Sequence, residues 1–261
     1  MSIYFAHKTW VELEAYIKKK ALVILPVGTV EEHGRHLPVE TDATIAEEVA
    51  KAIGEDMKNE VPLLVMPTVW SGYSPKEMMK WPGTMRLRTR VFTDMVYDIC
   101  ASLAEMGFKK IMMLDCHGQH APMLNIVTKD LADNYGVYAV VTSPMVFSAK
   151  EFSEVRKSKQ GGVLHACEWE TSLMLYLTDR VKMSEVTDED IMRYHSKFVA
   201  GDGASCGQKV VWSTWGLQKS KTGVYGDPTV ATREMGEFIM KALLKNYREF
   251  IREYISYERE E

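Results

Sequence analysis

Short, almost wholly apolar runs alternate with stretches of helical period along most of the chain. Thr9 and Glu12 form a T-x-x-E capping box that predicts an amphipathic helix to about Lys20. ALVILPVG (Ala21–Gly28) follows, a run of strand length whose unbroken apolar character suits a strand covered on both faces. The pattern then repeats. A helix is expected from about Ala43 to Met57, a strand at VPLLVMP (Val61–Pro67), and a loop rich in Gly, Pro and aromatics from Thr68 to Met85. Helix 89–106 leads into Ile111–Asp115, and helix 121–134 into Val137–Ser143. Glu168 to Leu177 reads as helix, 184–224 is the least regular stretch, and Asp227-Pro228 offers an N-cap with proline at the first position of a long last helix towards Tyr257. Four apolar strands separated by amphipathic helices predict an α/β fold with a mostly parallel, doubly covered sheet. No linker or repeat divides the chain, so residues 1–261 are expected to form one domain.

Composition narrows the function classes. A chain of 261 residues that is 46% hydrophobic and 26% charged is an ordinary globular sequence. A net charge of −4 argues against nucleic acid, which rewards clustered Lys and Arg. No stretch approaches the length of a membrane span, and the opening MSIYFAHKTW lacks the character of a signal peptide. Cys100, Cys116, Cys167 and Cys206 are scattered without a C-x-x-C pair, which fits a reducing compartment; a cytoplasmic protein without a membrane partner is the expectation.

In open α/β sheets, sites lie beyond the carboxyl ends of the strands. After Gly28 the chain reads TVEEHGRHLPVETDAT, with Glu31, Glu32, His33, Arg35, His36, Glu40 and Asp42 all ionisable. Glu31 and His33 are two apart and point the same way in extended backbone. A carboxylate oxygen with an imidazole nitrogen suits zinc, manganese or iron, whereas calcium prefers oxygen alone. Asp42 lies where a helix should begin, so it could cap that helix, bind a metal, or do both. His117 and His120 follow the third strand, which places four of the seven histidines on two strand-end loops. A third segment, HACEWETS (His165–Ser172), sets His165 and Glu168 three apart, as neighbours if the helix has begun. No H-E-x-x-H, G-x-S-x-G or P-loop motif is present.

Taken together, these segments resemble the creatininase (creatinine amidohydrolase) family. Its pattern is roughly L-P-x-G-x-x-E-Q-H-G-P-H-L-P, then T-D at a helix start, N-G-H-G-G-N after a strand, and H-A-G-E-x-E-T-S. This chain has LPVGTVEEHGRHLP (Leu25–Pro38), Thr41-Asp42, DCHGQH (Asp115–His120) and HACEWETS, with WPGT (Trp81–Thr84) and GVYGDPTVAT (Gly223–Thr232) also similar. The resemblance covers nearly the whole chain in order. It implies a three-layer α/β/α sandwich, a centre of two divalent metal ions (zinc first, manganese or iron as alternatives) and a homo-oligomer, usually a hexamer. By the same carry-over Glu31 and His117 would hold one metal, His33 the other, and Asp42 would bridge them. Creatininase itself has a carboxylate where this chain has Gln119. Glu168 is therefore assigned as the replacement ligand, with Glu170 as the fallback.

The chain departs from the pattern at Asp115, at Cys167 and at Met78, where a histidine is usual; the chemistry is expected to be kept while the substrate differs from creatinine. His165, placed as the family's catalytic histidine, would protonate the leaving group or stabilise the oxyanion. Gln119, His120, Trp81 and Trp169 are the candidates for substrate contact, within a wider set of possible pocket walls that adds Trp70, Tyr73, Trp212 and Trp215. The expected reaction is hydrolysis of a small cyclic amide or formamide. Carbon–carbon cleavage of a cyclic diketone, as by a 3-dehydro-scyllo-inosose hydrolase, is the alternative, and a binding scaffold with a purely structural metal is a third reading.

Overall fold

The computed structural model of the protein describes residues 2–193, 202–204 and 219–257. Cys206, Trp212, Trp215 and much of the irregular 184–224 stretch lie outside the described residues.

Four parallel strands make the central sheet, in the order β2 (Leu63–Val65), β1 (Leu22–Val27), β5 (Lys110–Asp115), β6 (Val140–Thr142). The unbroken apolar run of β1 is explained by where its side chains go. Leu22 and Ile24 pack on one face with Ile45, Val49 and Ile53 of α2 (Thr41–Met57), Leu173 and Met174 of α7 (Glu168–Leu177), and Leu243, Tyr247 and Ile251 of α8 (Arg233–Ser256). Val23, Leu25 and Val27 face the other way, onto Phe92, Val96 and Leu103 of α3 (Thr89–Met106) and Leu124, Val127 and Leu131 of α4 (Ala121–Tyr135). Both faces of the sheet are buried, so the fold is the expected three-layer α/β/α sandwich. Each fully buried Leu, Ile or Val contributes roughly 1.5–3 kcal/mol, and the two cores together dominate the stability.

The first helix, α1 (Trp10–Lys18), carries the expected capping box, with the Glu12 N–H donating to Thr9 Oγ1 at 3.4 Å and the Thr9 N–H to Glu12 Oε2 at 2.7 Å. Smaller elements escaped the pattern. The 68–88 segment contains a short parallel pair, β3 (Gly72–Tyr73) with β4 (Arg86–Leu87), and β6 is followed by α5 (Pro144–Phe147) and α6 (Ala149–Val155). A second small sheet pairs β7 (Val163–His165) antiparallel with β8 (Tyr225–Gly226). The last helix also begins later than expected. Thr232, whose side chain accepts from the Met235 N–H at 3.1 Å, is the N-cap of α8. Asp227 instead closes a local turn, accepting from the Thr229 N–H and hydroxyl. Asp-Pro is as good a turn signal as a helix start. No helix among the described residues is long and apolar enough to cross a membrane.

Candidate metal centre

The parallel strands β1 and β5 end side by side, at Val27 and Asp115. Gly28 lets the chain leave β1 tightly against α2, since a Cβ there would lie 2.6 Å from the Ala43 backbone. The Glu31 N–H bonds back to the Val39 carbonyl at 2.8 Å, closing a turn that holds Glu31 and His33 over the strand ends. The helix begins one residue earlier than Asp42, with Glu40 as N-cap and no side-chain cap bond. Asp42 therefore does not cap. Its carboxylate turns inward, with Oδ1 3.1 Å from His33 Nε2 and Oδ2 2.9 Å from His117 Nδ1.

From Asp42 the contacts run around a closed ring. His117 Nε2 is 3.6 Å from Glu31 Oε2, and Glu31 Oε1 is 3.6 Å from His165 Nδ1. One ligand-type atom from each of His165, His33 and Glu170 lies within 4.8 Å of the other two, which returns the circuit to His33 and Asp42. Three carboxylates and three imidazoles thus converge, all buried. Among the described residues Glu31 Oε2 and His117 Nε2 have no hydrogen-bond partner. Buried polar atoms are normally satisfied, and a carboxylate oxygen facing an imidazole nitrogen without a bond is what a cation site looks like before the cation binds. The donor set of oxygens and imidazole nitrogens fits a divalent transition metal.

Backbone carbonyls fix which nitrogen points inward. His33 Nδ1 donates to the Glu31 carbonyl at 3.0 Å, and His165 Nε2 donates to the Glu32 carbonyl at 2.8 Å. The other nitrogen of each ring, His33 Nε2 or His165 Nδ1, then faces the ring of acids. Asp115 steadies the neighbouring turn, its Oδ1 accepting from the His117 N–H at 3.2 Å and from His120 Nδ1 at 3.0 Å.

Electrostatics express the same excess of negative charge. Burial alone would push His33 down, but Asp42, Glu170 and Glu31 outweigh it and raise the imidazole to about 10. His117 is likewise raised to about 9 against its burial, by Glu31 and Asp42. Burial pushes the Glu170 carboxyl up, partly opposed by His33 and His165, while Asp42 is held down by its two histidines despite its own burial. His36, outside the ring, is lowered to about 4 by burial and bonds through Nε2 to Thr171 Oγ1 at 2.9 Å.

Several sequence expectations need correction. Glu168 does not reach the ring: it is fully buried, and its carboxylate accepts from the backbone N–H groups of Lys157, at 3.0 Å and 3.2 Å, and of Ser158, at 2.8 Å. Glu170, one helical step of two residues further, faces His33 and His165. Trp169 is core, its Nε1 donating to Ser148 Oγ at 2.9 Å. His120 is buried against the Phe92 ring, with centroids 4.1 Å apart, and against the bare Cα of Gly72, and its Nδ1 bonds Asp115. Gln119 is half-buried in the turn after β5, and Trp81 is half-buried in the 81–85 loop. Trp70 is 57% exposed, and Tyr73 packs on the core under Arg86. Sequence reasoning assigned no role to Glu32, whose buried carboxylate lies 3.7 Å from His165 Nε2. Its place inside the densest ionisable run was the available signal.

Both the sequence and the fold have known relatives. The family model described as "Creatininase: Creatinine amidohydrolase" matches residues 6–251. The creatinine amidohydrolase of Pseudomonas putida is 26% identical over 273 residues, covering 97% of each chain. The 3-dehydro-scyllo-inosose hydrolase of Thermotoga maritima is 27% identical over 180 residues, 67% of this chain but only 56% of that relative's length. A mycofactocin precursor peptide peptidase of Mycolicibacterium smegmatis is 25% identical, covering 89% of this chain and 85% of its own. Among solved structures, a creatinine amidohydrolase superposes with a TM-score of 0.80 at 23% identity, over 98% of this chain and 99% of that one, which shows the shared fold.

Proposed function

Because the chain belongs to the creatininase family, we propose that its ring of acids and imidazoles holds two divalent metal ions and that the protein hydrolyses a carbon–nitrogen bond in a small cyclic amide or formamide. The observation that carries this reading is the pair of buried atoms Glu31 Oε2 and His117 Nε2, 3.6 Å apart without a hydrogen bond, on one side of Asp42, with His33 and Glu170 on the other. Glu31 and His117 would hold one ion, His33 and Glu170 the second, and Asp42 would lie between them. Zinc suits the mixed oxygen and nitrogen set, and manganese or iron would also be accepted. Similar solved structures include a zinc–zinc form of a mutant creatininase and a manganese form of creatininase.

Such ions, when bound, polarise a carbonyl oxygen and lower the pKa of water. The remaining work falls to the chain's own residues. His165, with Nε2 committed to the Glu32 carbonyl, would use Nδ1 to take a proton and return it to a leaving nitrogen. Glu31 Oε1, 3.6 Å away, would steady the resulting imidazolium. The burial of all six ring residues keeps bulk water from competing.

Two of the three relatives above carry names that denote amide cleavage, creatinine amidohydrolase and peptide peptidase, which favours the carbon–nitrogen bond. The Thermotoga maritima relative supports carbon–carbon cleavage of a cyclic diketone as the second reading. A cytoplasmic homohexamer is our expectation for the assembly. Exposed apolar side chains of the 68–88 segment, Trp70 at 57%, Met79 at 53% and Met85 at 57%, support an interface between copies. Elemental analysis tests the metal reading: about two equivalents of zinc, manganese or iron per chain are expected. Hydrolysis across a panel of cyclic amides, formamides and cyclic diketones should be lost on chelation and restored on re-addition. Metal-free protein that still turns over a panel member would overturn it.

A further inference from the structure

Glu32 stands beside the ring but belongs to no step described so far. It is 3% exposed, and its two carboxylate oxygens live in different surroundings. Oε2 accepts from the Gly34 N–H at 3.0 Å. The same end of the side chain rests against the bare Cα of Gly223, where a Cβ would lie 2.0 Å from Oε2 and 2.6 Å from Cδ. Gly223 has φ +90°, in the left-handed region that favours glycine. Backbone conformation and the space for the carboxylate therefore both demand glycine there. The Glu32 N–H is also held, by Thr84 Oγ1 at 3.1 Å. The side chain is fixed at two points and the backbone at a third.

Oε1 is different. It is buried, has no hydrogen-bond partner among the described residues, and lies 3.7 Å from Nε2 of His165, the proposed proton carrier. Leaving a buried carboxylate oxygen unbonded is costly, and the rigid hold on Oε2 prevents the group from turning to find a donor. The bound state offers the missing partner.

We propose that Glu32 is a specificity-determining residue whose Oε1 accepts a hydrogen bond from an N–H of the substrate. The inference rests on the hydrolase reading given above and narrows it to amides that carry an N–H beside the scissile carbonyl. Sites built to bond a particular donor discriminate strongly against analogues that lack it, because the buried group is then left unpaired. Secondary cyclic amides are thus favoured over their N-alkylated counterparts.

The substitution Glu32→Gln inverts the recognition. The Gly34 N–H would claim the carboxamide oxygen, which places the –NH2 where Oε1 was and turns an acceptor into a donor. Binding of 2-pyrrolidinone and of N-methyl-2-pyrrolidinone to the metal-loaded protein, followed by calorimetry, reads the effect directly. The wild type is expected to prefer the N–H compound by at least about tenfold, the scale of a hydrogen bond to a charged group. In Glu32→Gln the preference should fall to within about twofold or reverse, and the metal content, measured in parallel, should equal that of the wild type. Glu32→Leu, which offers neither donor nor acceptor, should also lose the preference. An unchanged preference in both variants with metals in place, equal binding of the two lactams by the wild type, or binding of neither would overturn the proposal. Loss of the metals from wild-type protein would instead count against the hydrolase reading itself.

Discussion

Two strand-to-helix junctions feed the same ring of side chains, and they are built in opposite ways. Between β1 and α2 the chain spends thirteen residues, 28–40, on a loop held by its own backbone bonds, and Glu31 and His33, two residues apart, both turn inward. Between β7 and α7 only Ala166 and Cys167 intervene. Ala166 has φ +52°, a left-handed conformation that alanine adopts at a cost of about 1–2 kcal/mol, and the helix starts at once. Which acid reaches the ring is then decided by helical rotation. Two residues on a helix are about 200° apart, so Glu168 and Glu170 must face nearly opposite directions. One binds the 157–158 backbone, and the other joins His33 and His165. A long loop can be read residue by residue, whereas a tight junction has to be read by angle.

Substitutions sharpen this contrast. The largest effect is expected at the position both sides share. Asp42→Asn should empty the site of metal and abolish hydrolysis, because its carboxylate is the link between His33 and His117; retained metal by elemental analysis would refute the link. Next comes Glu170→Gln, which removes the acid from one side only. About half the metal should be lost, with the Glu31 and His117 side still filled.

Glu168→Gln is the control for the opposite face. Metal content should be unchanged, but an –NH2 would be turned against buried backbone N–H groups, at a cost of about 1–3 kcal/mol. For a chain of this size that lowers Tm by roughly 2–12 °C. The reverse outcome, metal lost in Glu168→Gln and kept in Glu170→Gln, would show that α7 is rotated from the arrangement described here. Ala166→Gly should have the smallest effect. Relief of the left-handed strain and the added freedom of the unfolded chain nearly cancel, so Tm should stay within about 2 °C. Ala166→Val, β-branched in the same conformation, should lower it clearly.

The same contrast explains what was legible in the sequence. Strands β1 and β5 and helices α3 and α7 were readable because long apolar periodicity fixes them. Glu31, His33, Asp42 and His117 were readable as candidates because they cluster just past strand ends. The antiparallel pair β7–β8 was not, since two- and three-residue strands joined across the 166–224 interval leave no periodic trace. The exchange of Glu168 for Glu170 did not turn on where the helix begins, since α7 has the expected bounds; it turned on which face of that helix meets His33 and His165, a tertiary fact that the pattern does not carry. Trp169 and His120 looked like site residues because they neighbour site residues. Their burial against Ser148 and Phe92 is a tertiary fact with no local signal.

The central claim is that two metals lie on either side of Asp42, one with Glu31 and His117 and the other with His33 and Glu170. Anomalous diffraction from crystals of the zinc-loaded protein tests it most directly. Two anomalous peaks about 3.5–4 Å apart are expected, each within coordination distance of the Asp42 carboxylate, with Glu168 still bonded to the 157–158 backbone. A single peak remote from Asp42, or one coordinated by Glu168, would contradict the account.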